Sequence, residues 1–151
     1  MLQYDEYWET CRATLGDEAL GDAYTVRRIG NSEALTELIL GLIISGDKTG
    51  TFSLPRALKE AGVYPGVGDF VILTHFDGRP ACLVRMQACE LMPFAEIGPA
   101  ELKSEGSGAR EVKAWRTIHK AYWKPTLASW GESFSEDIPV LVQRFRLLHV
   151  A

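Results

Sequence analysis

Apolar side chains at the start of the chain recur at helical spacing. Tyr4, Tyr7, Trp8, Cys11 and Leu15 fall on or near one face of a helix over Gln3 to Leu15, which Gly16 ends. Tyr24 to Ile29 reads as a short strand, and Asn31-Ser32 offers an N-cap for a second helix. That helix carries a stripe of Leu35, Leu38, Ile39, Leu42 and Ile43, expected to pack it against the core, with Gly46 suited to its C-terminal end. A polar loop, Asp47-Lys48-Thr49-Gly50-Thr51, precedes a short helical segment from Leu54 to Ala61 that stops at Gly62.

Pro65 to Asp69 makes a turn into the apolar run Phe70 to Leu73. Asp77-Gly78 then reverses the chain into Ala81 to Met86, which completes a β-hairpin. Pro99 to Lys103 reads as a helical turn, Arg110 to Trp123 as a longer helix, and Val140 to Leu148 as a final strand with Arg144 and Arg146 on one face. Regular βαβ alternation is missing. The sum is an α+β domain with a small curved or barrel-like sheet rather than a doubly wound parallel one.

The composition, 46% hydrophobic and 24% charged over 151 residues, is that of one globular domain able to hold a core without staples. Acidic residues near the N-terminus do not fit a signal peptide, and the longest apolar stretch, Leu38 to Ile44, is too short to span a bilayer, so a soluble cytoplasmic protein with no membrane partner is expected. Cys11, Cys82 and Cys89 form an odd, widely spaced set read as reduced and buried. The scattered His75, His119 and His149 give no ligand spacing, so no metal and no cofactor is expected.

A net charge of −4 argues against a broad basic surface for long nucleic acid. One segment departs from that average. Arg110, Lys113, Arg116, Lys120 and Lys124 face a single acid, Glu111, and the last four form a stripe along the helix that is either a solvated face or a phosphate contact.

Ser45-Gly46-Asp47-Lys48-Thr49-Gly50-Thr51 resembles the opening motif of ASCH domains, members of the PUA-like group of small β-barrels. Tyr64 to Asp69, Phe94-Ala95-Glu96-Ile97, Glu105-Gly106, and Trp115 with His119, Tyr122 and Trp123 resemble later features of that family in order. The likeness covers about Gly46 to Leu148. It implies a PUA-like small curved β-barrel with flanking helices: residues 31–151 form the ASCH domain and residues 1–30 an N-terminal helical extension packed on it.

Lys48 and Thr51 stand three residues apart in a Gly-containing loop, close enough to converge on one pocket. A threonine hydroxyl is a weak nucleophile, and a desolvated lysine can act as its base because burial disfavours the charged amine. Glu105 could orient Lys48, activate water, or serve as a salt-bridge partner. One branch of the ASCH family hydrolyses the acetyl amide of N4-acetylcytidine. Its functional Lys, Thr and Glu are similar to Lys48, Thr51 and Glu105, although that branch is shorter and lacks the N-terminal region.

Thr49, Arg116, His119, Lys120 and Trp123 complete the set of candidate ligand-binding residues. Against these roles stand a loop-stabilising Thr49, a hydrogen-bonded core His119 and a packing Trp123. Two functions follow from the resemblance: hydrolysis of an amide on a modified nucleoside, or binding of single-stranded RNA, with or without ribonuclease activity. As an exposed loop residue, Lys48 is expected to be replaceable by alanine at little cost in stability.

Overall fold

The computed structural model describes residues 2–16 and 19–151. Its centre is a five-stranded mixed sheet in the order β1-β3-β4-β5-β2, built from β1 (Thr25–Arg28), β2 (Gly50–Ser53), β3 (Phe70–Thr74), β4 (Pro80–Pro93) and β5 (Pro139–Val150). Only the β1–β3 ladder is parallel, and every other pair is antiparallel. The expected hairpin is β3–β4, turned at Gly78 with φ +94°.

β4 runs seven residues past Met86, to Pro93, and pairs with β5 along its length with register shifts at Leu83/Val84 and Met86/Ala88. Such irregularities bend a ribbon and raise its twist. The extension escaped the sequence pattern because its residues are half-buried or exposed rather than alternating between core and water.

Helix α1 (Leu2–Leu15) and helix α2 (Glu33–Ile44) clamp the sheet from opposite faces, and β3 divides its side chains between them. Phe70 and Ile72 join Tyr7, Trp8 and Cys11 of α1, while Val71 and Leu73 join Leu40 and Ile43 of α2. Ser32 caps α2 by accepting the Leu35 amide, and Gly46, at φ +85°, donates to the Ile43 carbonyl beyond its end.

The buried face of α2 differs from the expected stripe. Thr36, Leu40 and Ile43 pack inward, whereas Leu35, Ile39 and Leu42 are only partly covered and Leu38 is 61% exposed. The helix is apolar on two faces, and the second lines a cavity, so periodicity alone could not say which face meets the core.

A third cluster lies under helix α5 (Val112–Ser129), where Trp115, Trp123 and Leu127 pack on Phe52, Phe94, Ile97 and Val142. The helix continues six residues beyond Trp123 and through Pro125. A proline there removes one internal hydrogen bond, but Trp123 and Leu127 are buried on either side of it and hold the helix in place. Short helices α3 (Pro55–Glu60) and α4 (Pro99–Leu102) complete the layer, with 3-10 turns at Phe94–Glu96 and Ser107–Ala109.

The barrel expected from the sequence is not closed by backbone pairing: β1 and β2 are the two edges of the sheet. Side chains bridge them instead. Arg27 on β1 donates from Nη1 to Gln143 Oε1 on β5 at 2.6 Å and from Nη2 to Ser53 Oγ on β2 at 2.9 Å. In a flat sheet β5 would lie roughly 14 Å from β1, three inter-strand spacings away, which an arginine cannot span. These bonds therefore measure how far the sheet curls. Residues 25–28 form an edge strand of the sheet, paired with β3. No helix among the described residues is long and apolar enough to cross a membrane.

Candidate functional site

The loop after α2 is held on both sides of Lys48. The Lys48 amide donates to Leu42 O at 3.0 Å, the Thr49 amide to Ser104 O at 2.8 Å, and Thr49 O accepts from the Phe145 amide at 2.9 Å before β2 begins. With the backbone fixed in this way, the Lys48 side chain turns inward and is 6% exposed. Gly50 makes the arrangement possible, because a Cβ there would sit 2.6 Å from Ser104 Oγ and against the Gln143 carbonyl.

Glu105 follows α4 and meets Lys48 in a buried ion pair, Lys48 Nζ donating to Oε1, which also accepts the Gly106 amide at 3.0 Å. A clip outside the pair joins the two loops. Asp47 accepts the Ser107 amide at 2.9 Å and Arg110 Nη2 at 2.9 Å, while Arg110 Nε donates to the Glu105 carbonyl at 2.8 Å. Hydrogen bonds from Ser107, with a smaller pull from the Arg110 guanidinium, hold the Asp47 carboxyl below the usual range. Burial lowers the Lys48 amine below the ordinary lysine value, against the opposing pull of the Glu105 carboxylate.

Lys48, Thr51 and Glu105 line one cavity of about 760 Å³, within the span of small-molecule sites. No side-chain hydrogen bond joins the Thr51 hydroxyl to a described residue, and Lys48 Nζ bonds Glu105 and not Thr51. The nucleophile-to-base contact that the sequence reading required is thus unformed, and Lys48 occupies the alternative it left open, the salt bridge.

His119 also reaches the cavity wall from α5. Its ring stacks on Trp115 at 4.3 Å, and Nδ1 lies 3.0 Å from the Trp115 carbonyl. A carbonyl only accepts, so Nδ1 carries the proton and Nε2 is left as an acceptor. Burial pushes the imidazole below its usual value and keeps it neutral.

The other candidates divide. Trp123 lines the cavity but is 4% exposed and packs against Phe94 and Trp115 as much as it faces a ligand. Thr49 lies outside the cavity and contributes its backbone to the loop. Arg116 ties α5 to the 3-10 turn through the Ala95 and Ile97 carbonyls, and Lys120 sits over the Phe134 ring, both away from the cavity. Arg27, Ser53 and the wholly buried Gln143 escaped the sequence reading. Each is a single polar residue in a strand, and only the curl of the sheet brings them together.

A curled, mostly antiparallel sheet with flanking helices and a cavity walled in part by the Lys48 loop is consistent with the PUA-like class of domain. The sequence matches the ASCH domain family over residues 26–149, and the chain belongs to that family. Its fold is similar to that of an ASCH domain from Lactobacillus crispatus JV V101, at 19% identity, a TM-score of 0.87, and coverage of 99% of this chain and 96% of that one. It is also similar to protein EF3133 from Enterococcus faecalis V583, at 22% identity, a TM-score of 0.82, and coverage of 99% and 91%. No curated protein matches the sequence.

Proposed function

We propose that the cavity binds a modified nucleoside and that Thr51, Lys48 and Glu105 hydrolyse an amide on it, as in N4-acetylcytidine. The observation that carries this reading is the meeting of a buried Lys48–Glu105 pair and an unpartnered Thr51 hydroxyl on the wall of one cavity. Within the pair the Lys48 proton shifts to Glu105, and Thr51 Oγ1 attacks the amide carbon as its own proton passes to the amine so freed. The protonated lysine, steadied by Glu105, returns that proton to the leaving nitrogen as the C–N bond breaks. Glu105 then returns its proton to Lys48 and, again a carboxylate, takes one from water, which cleaves the Thr51 ester and releases the acid while that proton re-forms the Thr51 hydroxyl. Substrate entry has to draw Lys48 toward Thr51, since catalytic hydrogen bonds often tighten only when substrate is bound.

Incubation with N4-acetylcytidine is expected to release cytidine and acetate, read by chromatography. Thr51→Val should abolish the release while Thr51→Ser retains part of it. Turnover by Thr51→Val at the wild-type rate removes threonine from the mechanism, and no turnover of any acylated nucleoside by wild-type protein removes the hydrolase reading.

The second reading, an RNA-binding module, is favoured by one observation: Lys113, Lys120 and Lys124 are exposed on α5, the helix whose His119 and Tyr122 reach the cavity. Binding of single-stranded RNA that weakens steeply with salt, without amide turnover, would select it.

A further inference from the structure

The cavity carries an excess of positive charge although the chain carries a net charge of −4: Arg27 and Lys48 line it against one carboxylate, Glu105, while the Arg28 guanidinium lies over the Phe76 ring outside it. Lys48 and Glu105 neutralise each other. Among the described residues Arg27 has no carboxylate partner; its two hydrogen bonds go to the neutral Gln143 and Ser53. Leaving a guanidinium partly desolvated without a counter-charge is unfavourable, and burial lowers this one to about 10.

The hydrogen-bond roles around Arg27 leave Arg27 and Ser53 with donors unspent. Arginine has five N–H groups, of which two are used here, so three remain. Gln143 must turn its oxygen to Arg27, and its amide nitrogen therefore donates to Ser53 Oγ at 2.9 Å. Ser53 Oγ accepts from both Arg27 and Gln143, which fills its two lone pairs and frees its own proton. Tyr122, another lining residue, is held in the protonated form by burial, and its hydroxyl bonds no described residue.

Position ties this donor cluster to the candidate catalytic group. Ser53 and Thr51 lie two residues apart on β2, so their side chains project from the same face, roughly 7 Å apart along the strand. We infer that Arg27 and Ser53 form an anion subsite, so that the ligand is a nucleoside bearing a negatively charged oxygen group, phosphate or carboxylate, rather than a neutral nucleoside. The inference rests on the nucleoside reading for the body of the ligand, but the anion subsite stands on Arg27 and Ser53 alone. Gln143 is the positioning residue, wholly buried and holding both donors.

Calorimetric titration with cytidine, cytidine 5′-monophosphate, phenyl phosphate and benzoate tests both parts. Cytidine 5′-monophosphate should bind at least about tenfold more tightly than cytidine, as expected of charge-assisted hydrogen bonds. The ratio should fall to near one in Arg27→Gln and be only partly restored in Arg27→Lys, which keeps the charge but loses the fork. In unaltered protein, the Arg27 Nε–H resonance should shift on addition of the monophosphate and stay in place with cytidine, a readout that needs no variant to fold. Binding of phenyl phosphate or benzoate through Arg27, with neither cytidine compound binding, keeps the anion subsite, shows which anion it takes and discards the nucleoside. Equal affinity for cytidine and its monophosphate, with an unmoved Arg27 resonance, overturns the anion subsite and leaves the nucleoside reading intact.

Discussion

Lys48 and Glu105, 57 residues apart in sequence, form an ion pair in which the side chains are 6% and 7% exposed. Two charges so far removed from water stabilise each other but carry a desolvation cost, and removing one strands the other. This corrects the expectation that Lys48 is a replaceable loop residue.

Lys48→Met and Glu105→Leu are each expected to destabilise the protein by about 3–5 kcal/mol, as when one partner of a buried pair is lost. The double variant should recover a large part of that loss. Urea unfolding of the four proteins checks this, and additive losses would show that the pair is not coupled in solution.

Acidification should weaken the fold through His119. Its folded-state value lies below the ordinary 6.5, so between the two values the unfolded chain binds more protons. Stability is therefore full above about pH 6.5 and declines as the pH falls from there toward the folded-state value. Unfolding curves of wild type and His119→Gln at pH 7.5 and 5.5 isolate the effect, because the variant should lose less on acidification.

The Asp47–Arg110 clip is partly exposed, with side chains 30% and 42% accessible. Arg110→Ala should cost little stability, as the loss of an exposed pair does. Its consequence should appear in local order: the Ser107 amide, bonded to Asp47, is expected to exchange faster with solvent, and turnover to fall more than stability. Unchanged exchange at Ser107 would argue that the clip holds nothing in place.

Gly50→Ala introduces a Cβ against Ser104 and the Gln143 carbonyl. Backbone lies on one side of that contact, so relief by side-chain motion is limited and a loss of about 1–3 kcal/mol is expected. A thermal melt gives the check, with Gly41→Ala as the control because nothing lies within 4 Å of its Cβ.

The sequence made the helices, the β3–β4 hairpin and the Lys48 loop legible because each has a local signature: Ser32 before α2, Gly46 after it, Asp77-Gly78 between strands. It did not reveal how the sheet edges meet, since Arg27, Ser53 and Gln143 come from strands that only curvature brings together. The convergence of Lys48, Thr51 and Glu105 was readable through the family resemblance and not through spacing. Arg110 and Arg116 belonged to an apparent basic segment, and their structural duties depend on carbonyl groups that no side-chain pattern records.

The outward apolar face of α2 has a thermal signature. Leu35, Leu38, Ile39 and Leu42 wall the cavity, so a ligand seated there must strip water from aliphatic carbon as well as satisfy the polar end. Loss of hydrated apolar surface lowers heat capacity, the most robust marker of such burial. Binding enthalpies measured between 10 and 35 °C should therefore become more exothermic with temperature, whichever polar group anchors the ligand, and Leu38→Ser should flatten that slope while leaving discrimination between charged and neutral ligands in place.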